Sequence, residues 1–537
     1  MGTKRFKPAG IKTQGAAVPS WWNRTTGRWI VAPFVVVLAV ALFYGRAVDY
    51  GLVNFDDDDL LVKFTGLTQT TGIKEAFFHS NFKSMYRPML QLSFYLDARE
   101  AGPTPKVFHR TNILIHLGVS LALLWFLGVF GFSPLVSTAL TLLFVSHPVV
   151  VPAVCWISGR NDSLLLLFML SGMIAFIKML RHRRWQVAWL AVHLVCFFAA
   201  ILTKETALAL PLLCVAYYYL TRQKRASMFQ MAMVAISWVA SVAAYAVLRR
   251  MSLADASASN QIGLAALWHN LPGFFAIAGK LFLPLRMSGY PAYESLSIAS
   301  GIAGCVLLAA AIVCVRKLRT PGIYLGIVWV VACYAPVLML KLSDVSYDYL
   351  EHRAYACMPG VLLVVAGAWA SLVRPSRGAA VAATALIGVF CVRGYAYEES
   401  FKDARHFWGT VVRYAPQKTL GYTNLANALR QNGELAMAAE NARKAIALDG
   451  SNKTAHNILC ATLFAEQRYD EAIAEGRAAL AIDPTFAEAA QNTASAYAAA
   501  HRYAEAETLY VEALRLDPNL RMAKENLAKL RVIQGRQ

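Results

Sequence analysis

The chain has 537 residues, 57% of them hydrophobic, and a mean hydropathy of +0.43. That composition excludes an ordinary soluble protein of this length, so the formal charge of +20 belongs on cytoplasmic loops beside anionic headgroups rather than on a nucleic-acid surface. The nine cysteines contain no CxxC pair and mostly sit in apolar runs, which argues against a disulfide framework or a metal site and for small core side chains.

Lys4, Arg5, Lys7, Lys12, Arg24 and Arg28 precede the first apolar run. By the positive-inside rule, segment 1–28 is expected to be cytoplasmic. It is too long and polar for a cleaved signal peptide, and no small-residue cleavage site follows the run. Runs of about 17–25 apolar residues, the length that crosses a bilayer as a helix, then recur. They lie near 29–48, 111–130, 134–153, 162–180, 185–203, 205–221, 228–248, 298–315, 321–341, 354–373 and 378–395. Basic clusters at Arg181–Arg184, Arg222–Arg225, Arg316–Arg319 and Arg374–Arg377 fall on the inside if segment 267–285 is an interfacial or re-entrant helix rather than a span. The expected fold class is all-α: a polytopic membrane bundle of about eleven spans over 29–398, followed by a soluble helical solenoid over 399–537. The outer loop 49–110 and the C-terminal domain then share the outer face.

The cytoplasmic loops are short and basic, whereas the outer segments carry varied polar residues. The first holds "NFDDDDLL", then Arg87 in "YRPM" and His109 in "FHRTNILIH". The second holds His147 and "WISGRND", with Arg160 and Asp162; Lys204 and Glu205 follow in "TKETAL". A late loop carries Glu351, His352 and Arg353 in "EHRAY". Ionisable residues at span ends are costly and are candidates for function. Carboxylates beside cations in an apolar bowl suit an anionic, phosphate-bearing lipid substrate: cations neutralise a leaving phosphate and a carboxylate takes a proton from the nucleophile. Each feature also has a plainer explanation. An acidic run is most often a solvated loop, the His109–Asn112–His116 pattern can be polar glue between helices, and Arg160–Asp162 can be a structural ion pair. The His109/His116 spacing lacks the i,i+4 pairing of helical zinc sites, and no metal site is assigned.

After Glu399 the composition turns alanine-rich and charged. Pro416, Gly450, Pro484 and Pro518 are 34 residues apart; so are Ala404, Ala438, Ala472 and Ala506, and Ala445, Ala479 and Ala513. This period, with small residues where two helices touch and a breaker after the second, is the tetratricopeptide (TPR) signature. A half unit at 401–416, three full units over 417–518 and a capping helix at 519–533 are expected. The groove of such an array suits a peptide or protein partner.

"YRPM", "HRTNILIH", "SHP…WISGRND", "TKETAL", "PLRMSGY" and "EHRAY", in this order, resemble the bacterial relatives of the transmembrane-and-TPR O-mannosyltransferase family, of the glycosyltransferase C superfamily. The resemblance covers nearly the whole chain. It implies a sugar donor linked to polyprenyl phosphate, an acidic pair in the first outer loop and an inverting displacement. On it, Asp56 and Asp57 match the catalytic pair, with the first acid as base. Arg160, Lys204, His352 and Arg353 match donor-phosphate positions, and Arg87, His109, His147, Asp162, Glu205 and Glu351 are further site candidates. Val150 and Pro152 stand where relatives carry a histidine and a glutamate, and "ACM" delays the proline after "EHRAY". Asp58 and Asp59 extend the pair and read as extra charge or a weak site for a divalent cation. The reading is an enzyme of the bacterial inner membrane that glycosylates a hydroxyl, normally protein Ser or Thr, with its TPR domain in the periplasm. The alternatives are an O-oligosaccharide ligase, or a non-enzymatic TPR scaffold for envelope assembly. No GxxxxGK[ST] stretch is present, in keeping with a lipid-bound rather than nucleotide donor.

Overall fold

The computed structural model describes residues 25–57, 73–78, 85–221, 228–253, 261–262, 264–291, 298–314, 320–341, 350–372 and 376–535. Among them the architecture is helical; the one strand pairing is the two-residue antiparallel contact of Gln261–Ile262 with Leu340–Lys341.

Helix α1 (Thr25–Tyr44) turns through a 3-10 segment (Gly45–Asp49) into the acidic loop. Short α2 (Ile73–Phe78) and α3 (Pro88–Ala101) lead to α4 (Pro105–Phe130), which opens with proline at its first turn, where the missing N–H is not needed. Ser133 caps α5 (Pro134–Ser146) by accepting from the Val136 N–H. The chain then bends by 59° into a stretch that includes α6 (Val151–Cys155). Next come α7 (Arg160–Arg181), α8 (Gln186–Ile201), α9 (Ala209–Leu220) and α10 (Met228–Ser252). Segment 267–285 falls on α11 (Leu264–Phe282), with Pro272 inside it, packed against α12 (Ile298–Cys314) and α13 (Pro321–Leu338). Helices α14 (Met358–Leu372) and α15 (Arg377–Glu398) complete the bundle. Gly326 and Gly360 let α13 and α14 touch: a Cβ on Gly326 would stand 2.8 Å from Val364 Cγ2. Small residues allow such close approach where lipid gives helices no hydrophobic drive to associate.

Eight helices among the described residues are long and apolar enough to cross a membrane, or nine if the bent pair at 134–155 is one span. The two other expected spans fall on shorter helices, Glu205–Leu220 and Ile298–Cys314. Apolar side chains such as Phe34, Leu38 and Leu42 on α1 and Phe229, Ile236 and Val239 on α10 point outward, as lipid contact requires.

Seven further helices follow one lead-in helix, α16 (Ala404–Tyr414). They are α17 (Thr419–Gln431), α18 (Leu435–Leu448), α19 (Lys453–Ala465), α20 (Tyr469–Ile482), α21 (Ala487–Ala499), α22 (Tyr503–Leu516) and α23 (Arg521–Ile533). The six alanines Ala438, Ala445, Ala472, Ala479, Ala506 and Ala513 are wholly buried between paired helices, so the 34-residue period is a packing period. Asp449, Asp483 and Asp517 close α18, α20 and α22, each side chain accepting from the backbone N–H two residues on.

The two apolar cores are distinct. The larger joins the bundle and includes Phe401, Phe407, Trp408 and Val411, so α16 packs with the membrane helices. The smaller runs from Ala426 to Leu530 within the array.

Candidate functional site

Two clusters of polar groups meet at one end of the bundle. The first is the acidic turn. Gly51 N–H donates to the Lys402 carbonyl (2.8 Å), and His109 Nε2 lies 3.2 Å from the Gly51 carbonyl. Asn54 takes a left-handed backbone (φ 53°), which asparagine tolerates better than most residues. Phe55 is then enclosed by rings: Tyr290 at 5.3 Å between centroids, Trp156 at 5.4 Å, Trp408 at 5.8 Å and Phe407 at 6.0 Å. Trp408 Nε1–H donates to the Val53 carbonyl (2.9 Å). Val53 N–H donates to Asp57 Oδ2 (3.2 Å) and Ser158 Oγ–H to Asp57 Oδ1 (3.1 Å). Asp57 is 1% exposed, whereas Asp56 faces outward. Asp58 and Asp59 lie outside the described residues.

The second cluster is cationic. Lys204, in the break between α8 and α9, donates to Asp162 Oδ1 (2.7 Å) in the first turn of α7. His352 Nε2 stands 3.8 Å from the other Asp162 oxygen. Burial pushes the Lys204 ammonium down to about 8; Asp162 opposes this, and the neighbouring charges of Arg87 and Arg353 add to it. Arg87, immediately before α3, lies 3.6 Å from Glu205, whose other oxygen accepts from Tyr245 (3.3 Å). Arg353 follows His352 in the 3-10 turn (Glu351–Cys357) that leads into α14.

Trp156 joins the clusters. Its ring lies 5.4 Å from Phe55 on one side and 5.2 Å from His352 on the other. Among the described residues its buried Nε1 has no hydrogen-bond partner, and the same holds for His352 Nδ1 and Arg87 Nε. An unpaired buried donor such as the indole N–H costs about 1–3 kcal/mol, so the Trp156 edge is suited to an oxygen acceptor.

Other candidates lie elsewhere. Arg160 is fully enclosed: it pairs with Asp97 (2.6 Å) and donates to Asn112 Oδ1 (2.6 Å), Ser93 Oγ (3.3 Å) and the Phe108 carbonyl (2.8 Å). Burial raises the Asp97 carboxyl against the pull of Arg160. Glu351 belongs to a separate network, accepting from Lys280, Ser288 N–H (3.1 Å) and Tyr397 (2.8 Å). His147 caps its own turn, accepting from Val149 N–H (3.1 Å), with Nε2 3.0 Å from the Leu281 carbonyl. Val150 and Pro152 fill the bend there as buried apolar residues. No group of three or more His, Cys, Asp or Glu side chains among the described residues is disposed to hold a metal. Sequence reasoning missed Asp97, Trp156, Ser158, Lys280 and Trp408. Lys280 had a signal, since a lone charge in an apolar helix needs a partner; Trp408 had no local one.

A tetratricopeptide-repeat family model matches residues 463–530. The sequence is 28% identical over 208 residues to protein O-mannosyl-transferase TMTC4 of Homo sapiens, covering 33% of this chain and 28% of that protein. It is 31% identical over 137 residues to TMTC2 of Homo sapiens, covering 24% and 16%, and 28% identical over 198 residues to TMTC1 of Mus musculus, covering 33% and 21%. The chain therefore matches less than a third of the length of these curated relatives. Among solved structures, the first TPR of Spaghetti (RPAP3) bound to an HSP90 peptide aligns at 22% identity. That alignment covers 22% of this chain and 94% of the other, with a TM-score of 0.22. A crystal structure of MamA aligns at 20% identity, covering 25% and 72%, with a TM-score of 0.23.

Proposed function

We propose that this relative of the transmembrane-and-TPR protein O-mannosyltransferases moves one sugar from a polyprenyl-phosphate carrier to a hydroxyl of a protein Ser or Thr, on the periplasmic face of a bacterial inner membrane. The observation that carries the reading is the meeting of the acidic turn with the buried cations through Trp156. A displacement at an anomeric carbon needs a base on one side and a stabilised leaving phosphate on the other, and the sugar lies between them.

In this reaction the acceptor oxygen forms a bond to the anomeric carbon as the bond to the phosphate oxygen breaks, and the configuration inverts. The hydroxyl proton goes to a carboxylate of the turn. Asp56 is the exposed member of the pair and the one an incoming chain can reach; Asp57, held by Val53 and Ser158, anchors the turn. The charge that develops on the polyprenyl phosphate is met by Lys204 and Arg353, with Arg87 and His352 beside them. Fixed cations in a dry site need little reorganisation when that charge appears. Arg160 is spent on Asp97, so its contribution is to hold α3, α4 and α7 together around the site. The TPR groove presents the acceptor.

Transfer from a labelled polyprenyl-phosphate sugar to protein, by purified enzyme in lipid, tests the reading. Absence of both lipid-donor retention and transfer to any hydroxyl acceptor favours a scaffold; transfer of whole glycans favours an oligosaccharide ligase.

A further inference from the structure

We propose that α16, which the repeat pattern assigns to the TPR array, is part of the catalytic module, and that Trp408 on it is a positioning residue for the acidic turn. The inference rests on the proposed reaction at that turn and adds a residue to it.

Four observations converge. The Trp408 indole N–H donates to the Val53 carbonyl, and the N–H of the same residue donates to the Asp57 carboxylate. One residue of backbone thus separates a TPR-side tryptophan from the acidic pair. Second, the segment before α16 holds the other end of the turn, through Gly51 N–H and the Lys402 carbonyl. Third, Phe55, beside Asp56, is held by Phe407 and Trp408 of α16 together with Trp156 and Tyr290. Phe407 also lies directly over Gly289, where any Cβ would collide with its ring. Fourth, Phe407, Trp408 and Val411 belong to the apolar core of the bundle, not to that of the array.

The turn needs such a brace. Asn54 is in a left-handed conformation, and a short loop without regular structure has few contacts of its own to hold a carboxylate at one spot. A general base must stay within hydrogen-bond reach of the proton it takes. Braced by α16, the turn keeps Asp56 in one position. Without the indole N–H, the Val53 carbonyl loses its partner and the turn loosens, while the donor's cations at Lys204 and Arg353 are untouched.

The test uses the full chain in lipid. Trp408→Phe keeps an aromatic ring and removes the donor. The expected result is a kcat for sugar transfer lowered by about 10- to 100-fold, the scale of an ångström-sized misplacement, with KM for the lipid donor unchanged within about twofold. If Trp408→Phe folds poorly, the sulfur isostere benzothienylalanine at 408 keeps the shape and deletes only the N–H; it should give the same split. 7-Azatryptophan, which keeps the N–H, should restore kcat. A merely structural role would instead lower the number of donor-binding sites and leave turnover per site normal. Normal turnover per donor-binding site in Trp408→Phe or the isostere, with Asp56→Asn inactive, overturns the positioning role alone. Normal turnover in Asp56→Asn with Asp57→Asn overturns the reaction it rests on, and the proposal with it.

Discussion

A carboxylate that accepts a proton must be reachable, and one that holds a turn must be satisfied; Asp56 and Asp57 divide along that line. Asp56→Asn removes the proposed base and should reduce transfer to background while expression and donor binding persist, as judged by kcat and by lipid retention. Asp57→Asn can still accept from Val53 N–H through its amide oxygen while its NH2 donates to Ser158, so measurable turnover should remain. Asp57→Ala leaves the buried Val53 N–H unpaired, at about 1–3 kcal/mol, and should lower the melting temperature as well. Lys204 supplies a pH test. Its ammonium ordinarily loses its proton near 10.5 and here does so near about 8, because burial disfavours the charged form. The charged form prevails below that value, so kcat/KM for the lipid donor should fall as pH rises through about 8. Lys204→Arg, whose guanidinium keeps its charge, should carry the fall to higher pH. The identities of these residues were legible in short motifs. Their burial and partners were not, because packing sets them, and the partner of Val53 lies 355 residues away in the chain.

The break between α8 and α9, the turn after α6 that carries Trp156 and Ser158, and the 3-10 turn before α14 each bring one polar motif to the site; regular helix would carry Lys204 and His352 past it. These breaks were legible as polar interruptions of apolar runs. The solenoid was legible in greater detail, since a repeat of 34 residues is written directly as buried alanine. Ala472→Leu, at the contact of paired helices, should cost about 1–3 kcal/mol by overpacking and lower the unfolding temperature of the array. What the repeat concealed is the allegiance of α16: its alanine keeps the period, but its aromatic face belongs to the bundle. Truncation after Glu399 therefore removes a brace of the acidic turn as well as the groove, and should abolish turnover on any acceptor. Truncation after Glu434 keeps α16 and α17, and should lose the natural protein acceptor while retaining transfer to a short Ser/Thr peptide at high concentration. Equal residual activity of the two truncated proteins would contradict this.

Across the whole molecule, the contact of Gly51 with Lys402 and of Trp408 with Val53 puts the acidic turn and the start of the TPR domain on the same side. On the proposed topology, with the basic clusters inside, that side is the periplasmic one. In a background without native cysteines, single cysteines at Glu100 and Glu440 should both react with an impermeant thiol reagent in intact cells, and one at Arg183 should not. Composition made the membrane class legible; the meeting of acid and cation clusters around Trp156 needed the packed bundle. The most direct test of the central claim is transfer from a radiolabelled polyprenyl-phosphate sugar to a protein Ser/Thr acceptor by the purified chain and by its Asp56→Asn, Asp57→Asn double variant. The account predicts transfer by the former, and donor binding without transfer by the latter. Near-normal turnover by the double variant would contradict it.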